Sequence, residues 1–129
     1  MTDESPNPWA EIIGPCYTAA SLARELGWSE SDVAEATASL TVLEVKTSDG
    51  VLLYPAFQVW NGALVEGLDA VLHILSTGTE SRWTWAQWLN VRVDDESGEE
   101  ASSAIEQLLT GQLDAVLRDA RHTAWAWSN

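Results

Sequence analysis

Two capped helices, a β-hairpin and a series of amphipathic helices predict a mainly α (α+β) fold for this chain of 129 residues. Apolar residues recur at helical spacing along most of the sequence, whereas strand-type runs are confined to one stretch around an Asp-Gly turn. We expect a winged helix-turn-helix unit over residues 13–62 and a helical partner-binding region over residues 63–129. Residues 1–12, with three acids and two prolines, are predicted to be a disordered acidic tail.

The helix-turn-helix is predicted from two capping signals on either side of a glycine. Thr18 can cap a helix over about residues 19–26, and Gly27 suits the left-handed conformation that ends such a helix. Ser29 can cap a second helix, in which an acid in the first turn favours the positive helix end. That helix is predicted to extend over residues 30–40.

The wing is predicted from two β-rich runs, residues 42–46 and 51–54, that flank Asp49-Gly50. Asp-Gly between two such runs is a strong hairpin signal, because glycine tolerates positive φ. Pro55 is expected to end the second strand. A hairpin that directly follows a helix-turn-helix is a wing.

Helical spacing resumes beyond a turn at Asn61-Gly62. We expect a helix with an apolar stripe, a helix that begins near Ser81, and a helix opened by a Ser103–Glu106 capping box and ended by Gly111. A last helix follows, and residues 123–129 are predicted to form a short extended tail. The apolar stripe consists of Leu64, Leu68, Val71, Leu72 and Leu75.

Charge limits the classes of partner. Six Lys and Arg oppose twenty Asp and Glu, for a formal net charge of -14, which repels nucleic acids and anionic membranes and attracts a basic partner. Within the winged unit only Arg24 and Lys46 are cationic, whereas DNA-binding proteins commonly neutralise about 6–10 phosphates. We therefore expect DNA binding by the chain to be weak or absent. The acids there are Glu25, Glu30, Asp32, Glu35, Glu44 and Asp49.

No pattern of catalytic or metal-ligating residues is present. One cysteine and two histidines, His73 and His122, give no zinc spacing, and no phosphate-binding glycine loop or nucleophile motif occurs. The sequence therefore predicts a non-enzyme with no catalytic residue, no metal and no cofactor. Cys16 alone cannot form an internal disulfide, and no apolar run could span a bilayer. We expect a cytoplasmic protein.

Eight tryptophans supply candidate anchors for a protein partner, since Trp is favoured at interfaces as well as in cores. Trp85 and Leu89 share a helix face and indicate core. A DNA-facing role is open for Ser29, Ser31 and Lys46. The candidate partner-binding residues are Trp83, Trp88, Leu113, Leu117, Trp125 and Trp127.

Two stretches resemble known bacterial proteins. Residues 17–29 (Tyr-Thr-Ala-Ala-Ser-Leu-Ala-Arg-Glu-Leu-Gly-Trp-Ser) resemble the opening of many bacterial helix-turn-helix proteins. Residues 85–90 (Trp-Ala-Gln-Trp-Leu-Asn) together with 103–117 are similar to the toxin-binding region of Xre/MbcA/ParS-type antitoxins. The chain departs from that family at Ala104, where the family usually has proline.

This resemblance implies an antitoxin-like homodimer that binds and sterically inhibits a partner protein, by resemblance a RES-type toxin that consumes NAD. The alternative is a dimeric helix-turn-helix DNA-binding transcriptional regulator. A further alternative, an acidic DNA-mimic inhibitor of nucleic-acid enzymes, follows from the charge alone.

Overall fold

The computed structural model describes residues 14–91 and 102–128, and it confirms the mainly α (α+β) fold class. The predicted acidic tail and the acidic stretch 94–100 lie outside these residues. The described α-helices are α1 (Ala19–Leu26), α2 (Glu30–Ala38), α3 (Leu68–Leu75), α4 (Arg82–Asn90), α5 (Ala104–Leu109) and α6 (Leu113–Ser128). The described strands are β1 (Cys16–Tyr17), β2 (Val45–Lys46), β3 (Leu52–Pro55), β4 (Val59–Trp60) and β5 (Ala63–Leu64), with a 3₁₀ helix at Ala56–Gln58 between β3 and β4.

The helix-turn-helix forms from the predicted capping residues. The Thr18 hydroxyl accepts a hydrogen bond from the Ser21 amide, and the Ser21 hydroxyl accepts one from the Thr18 amide, at 3.2 and 2.9 Å. Gly27 ends α1 with φ 72°. Ser29 and Asp32 make the same reciprocal pair at the start of α2, each at 3.0 Å. Local hydrogen bonds therefore determine where both helices begin.

The second helix is shorter than predicted. α2 ends at Ala38, and Leu40 takes a left-handed conformation with φ 58°. Two amides beyond the helix, those of Thr41 and Val42, both donate to the Ala36 carbonyl. The chain thereby turns towards the sheet, and Leu40 packs against the main core instead of extending the helix face.

The wing is confirmed as an antiparallel hairpin of β2 and β3, with Lys46 opposite Leu52. β1 pairs with the other edge of β3, so the sheet order is β1-β3-β2. β1 is not predicted by the sequence, because two residues next to a helix show no strand periodicity. The hairpin of β4 and β5 is not predicted either, since Asn61-Gly62 indicates only a turn.

The extended C-terminal tail was a wrong prediction. α6 continues through Ser128 and packs along α3. Ala124 is buried there, and a Cβ at Gly78 would lie 2.5 Å from the Ala124 carbonyl oxygen. Two small residues thus let the last turns of α6 pack closely against the segment that follows α3. Trp125 and Trp127 consequently lie about 200° apart around a helix and not on one side of a strand.

The buried side chains form two clusters. The smaller cluster belongs to the helix-turn-helix, and the main cluster lies among α3, α4, α5 and α6. Val42 packs in the smaller cluster, whereas its neighbour Leu43 packs in the main one. Leu64, from beyond the predicted boundary at residue 62, packs against the smaller cluster. The core therefore extends across that boundary in both directions.

Gln58 binds the backbone at the point where the chain passes from the smaller cluster to the main one. Its side chain is fully buried; Oε1 accepts from the Leu43 amide at 2.9 Å, and Nε2 donates to the carbonyls of Leu43 and Pro55 at 2.9 and 3.0 Å. These bonds occupy the backbone groups that a longer first wing strand would use. The predicted strand over residues 42–46 is therefore confined to Val45–Lys46.

We expect Gln58→Leu to lower the free energy of unfolding by about 3 kcal/mol, because each buried backbone group left without a partner costs about 1–3 kcal/mol. Denaturation in urea measures the change. Gln87→Leu on exposed α4 surface is the control, with an expected change within about 0.5 kcal/mol. Equal stability of the two variants would contradict the role assigned to Gln58.

Candidate functional site

The exposed face of α2 is where a helix-turn-helix protein would contact DNA bases. Its first half carries Glu30, Ser31 and Asp32, all exposed, and Glu35 is exposed one turn later. Ser29 is exposed but its hydroxyl caps α2. This surface therefore carries carboxylates at the positions where a DNA-binding protein has hydrogen-bond donors for base edges and cations for phosphates.

Three acids of the winged unit have local structural partners. Asp32 caps α2, Asp49 accepts a hydrogen bond from the Thr47 hydroxyl within the wing turn, and Glu44 accepts one from the Tyr54 hydroxyl at 2.7 Å. Only part of the negative charge of the winged unit is therefore carried by acids that have no structural role of this kind. The unit nevertheless remains negative.

The winged unit has two cations. Arg24 on α1 and Lys46 on β2 are exposed, and Lys46 was the cation predicted to face DNA. The Lys46 backbone carbonyl accepts a hydrogen bond from the Trp83 indole at 2.8 Å, which ties the wing to α4. The strand that carries Lys46 is thus held in position against α4.

Tyr54 is the most strongly perturbed titratable group of the wing. It is 3% exposed, and burial, followed by the hydrogen bond and charge of Glu44, raises the pKa of Tyr54 to about 12. A neutral Tyr54 is therefore required inside the smaller core cluster. This pair stabilises the wing and offers no catalytic group.

The six predicted partner anchors differ in how far they are exposed. Trp83, Trp88, Leu113, Leu117 and Trp127 are half-buried and pack against the main core. The Trp88 indole donates to the Thr123 hydroxyl at 3.1 Å, which joins α4 to α6. Trp125 lies on the outer side of α6, 65% exposed, with its ring 6.4 Å from that of His122. Their role in partner binding stays a prediction.

A cavity that no sequence pattern predicts lies between the winged unit and α5. It has a volume of about 420 Å³ and is lined by the 3₁₀ helix and β4 on one side and α5 on the other. Its two walls are more than 40 residues apart in sequence, so no local pattern reveals it. The one available signal was Trp60, which precedes an Asn-Gly turn and has no helix or strand periodicity to bury it. The main side chains of the walls are Phe57, Val59, Trp60, Ile105, Glu106 and Leu109.

Metal and nucleophile chemistry finds no support in the part of the chain that the structure describes. No group of three or more His, Cys, Asp or Glu residues there could hold a metal ion. Burial raises the pKa of the Cys16 thiol, which disfavours the reactive thiolate. His73 is exposed on α3, and its Nδ1 forms a hydrogen bond with the Asp69 carbonyl at 2.7 Å.

Within residues 14–91 and 102–128, no helix has the length and apolar character needed to cross a membrane. No protein-family model and no curated protein matches the sequence. Among solved structures, the NMR structure of Rv2175c is similar, with a TM-score of 0.68 and 24% sequence identity. The likeness covers 95% of this chain and 86% of that one, so the two proteins share the fold across both the winged unit and the helices.

We expect the stabilisation from neutral Tyr54 to be fully present below the ordinary tyrosine pKa of 10.0 and to be lost as pH rises through about 12. The difference in unfolding free energy between wild type and Tyr54→Phe, measured across that range, reports this loss. Glu44→Gln keeps an acceptor but removes the charge, so it should lower the pKa of Tyr54 only in part, since burial is the larger cause. Titration of Tyr54 at pH 10 in the wild type would contradict this assignment.

We expect Trp127→Ala to lower the free energy of unfolding by about 2 kcal/mol or more, because it removes part of the main core. Trp125→Ala, two residues away on the exposed side of α6, should cost less than about 1 kcal/mol. Thermal denaturation of the two variants makes the comparison. A larger loss for Trp125→Ala would show that the two faces of α6 have been assigned the wrong way round.

Proposed function

We propose that this protein acts by binding another protein, as an antitoxin-like inhibitor, through a winged helix-turn-helix scaffold that is too acidic to hold DNA. The observation that carries the proposal is the exposed face of α2, which presents Glu30, Asp32 and Glu35 and no cation. DNA binding draws most of its sequence-independent affinity from phosphate neutralisation. A scaffold of this kind with an acidic face is suited to a basic protein surface.

Exposed apolar side chains support the same conclusion. Large apolar residues that remain exposed in a folded chain often mark a surface that a partner covers. They occur on the wing, beside the cavity and on α6, so contact area is available outside the acidic face. Within the described residues they are Val51, Leu52, Trp60, Val91, Leu109 and Trp125.

The similarity of residues 85–90 and 103–117 to antitoxin sequences supports a toxin as the partner. In this proposal the chain inhibits sterically, by covering the partner's working surface, and contributes no catalytic group. Co-expression with the product of the adjacent gene, followed by size-exclusion chromatography with light scattering, tests the proposal. A stable complex in which the partner loses its activity is the expected result, and a partner that remains active and separate contradicts it.

A DNA-binding regulator is the second candidate, because the helix-turn-helix and the wing are both complete. α2 and the β2–β3 hairpin are the two elements that such proteins present to a duplex. In this reading a dimer would use Ser29, Ser31 and Lys46. The fold of the winged unit suits this second candidate, but its negative charge does not.

We expect the wild-type chain not to bind duplex DNA at about 0.15 M ionic strength. Glu30→Lys combined with Glu35→Lys should create salt-dependent binding at least about tenfold tighter than that of the control, because cations then face the groove. The control, Glu66→Lys with Glu80→Lys, changes net charge equally at exposed sites outside the winged unit. Fluorescence anisotropy measures all three proteins.

Selective binding of the wild type to its own promoter under these conditions would support the second candidate instead. Equal DNA affinity of the two double variants would show that the face of α2 has no special position relative to a duplex.

A further inference from the structure

The cavity between the winged unit and α5 has the character of a binding site. At about 420 Å³ it falls within the range of about 300–1,000 Å³ typical of ligand pockets. Phe57 and Ile105 form part of its walls and also pack in or against the main core. Because these side chains are held by the core, the cavity is preformed and binding would require little reordering.

We propose that this cavity receives an apolar side chain from a basic segment of a protein partner. The inference deepens the proposed function and rests on it, since it specifies where that partner docks and what chemistry it carries. Nothing in the fold class requires such a site.

The rim of the cavity explains why the occupant is a segment of a protein. Trp60 on β4 is 59% exposed and Leu109 at the end of α5 is 41% exposed, and both line the cavity. The apolar surface therefore continues out of the cavity on both walls. A small ligand would fill the interior and leave these side chains in water, whereas a polypeptide chain can fill the cavity and cover the rim.

Charge specifies the chemistry of that segment. Glu106 is the acid among the described lining residues, and none of those residues is Lys, Arg or His. One Glu106 oxygen accepts from the Ser103 amide at 3.0 Å, so the carboxylate is held in place at the wall. With a formal net charge of -14 for the chain, Lys or Arg beside the apolar anchor is favoured and an acidic segment is repelled.

A short synthetic peptide with one Leu flanked by Lys on each side is the probe, titrated into the ¹⁵N-labelled full chain. We expect amide shifts centred on Phe57, Trp60 and Leu109. Two matched peptides, one with Leu replaced by Ser and one with each Lys replaced by Glu, should each bind at least about tenfold more weakly. Absence of shifts at millimolar peptide, or shifts that map to another surface, overturns the proposal.

Variants of the protein complete the test. Leu109→Ala should weaken the Lys peptide about fivefold or more, while Leu52→Ala, a leucine of similar exposure (44%) on the wing, should leave binding unchanged. Glu106→Gln keeps a residue able to cap α5 and should weaken the Lys peptide while leaving the thermal stability close to wild type. Equal effects of Leu109→Ala and Leu52→Ala overturn the assignment of the site.

The outcomes separate this inference from the proposed function. A partner complex that survives Leu109→Ala unchanged removes the cavity from the interface and leaves the proposed function intact. Selective duplex binding by the wild type removes the proposed function, whereas the peptide titration still reports directly on the cavity.

Discussion

The buried side chain of Gln58 is the interaction on which the arrangement of this protein depends. It forms hydrogen bonds with both backbone groups of Leu43, at the point where the consecutive side chains of Val42 and Leu43 enter different core clusters. Burial of such a polar side chain is favourable only when all of its hydrogen bonds are made. The backbone of Leu43 is therefore held in one position relative to Gln58. The 3₁₀ helix that contains Gln58 also supplies Phe57 to the cavity. The placement of the winged unit and the shape of the candidate site therefore have a common cause.

In the winged unit the fold is one that many DNA-binding proteins have, whereas the surface charge is unfavourable for binding DNA. Its architecture is one that commonly reads DNA, and it is shared with a solved protein across nearly the whole chain. A shared fold does not carry function, which resides in the side chains placed on it. Here Asp32 and Glu44 help to hold the local structure, while Glu30 and Glu35 leave the exposed face of α2 negative. Because phosphate neutralisation supplies most of the sequence-independent affinity for DNA, these side chains are the reason that we propose a protein partner.

The tryptophans show how an amphipathic residue can serve both core and surface. The indole rings of Trp83, Trp85 and Trp88 pack in or against the main core, while their N–H groups bond to Lys46, Thr79 and Thr123 across element boundaries. Each ring thus adds buried area together with one directional bond. Trp60 and Trp125 remain largely exposed. Most of the aromatic content is therefore explained by stability, and the exposed remainder marks candidate contact surfaces.

Local chemistry in the sequence was sufficient to determine the capped starts of α1, α2 and α5, the glycine that ends α1 and the hairpin of the wing. Each of these depends on contacts between residues no more than a few positions apart, which a sequence displays directly. Only the tertiary structure decided that α6 continues through Trp125 and Trp127, that β1 and the β4–β5 hairpin form, and that a cavity opens beside α5. These features arise where Gly78 meets Ala124, where Gln58 meets Leu43 and where Trp60 lies near Leu109. Such pairs are brought together by burial of the whole core, and no periodicity along the chain encodes them.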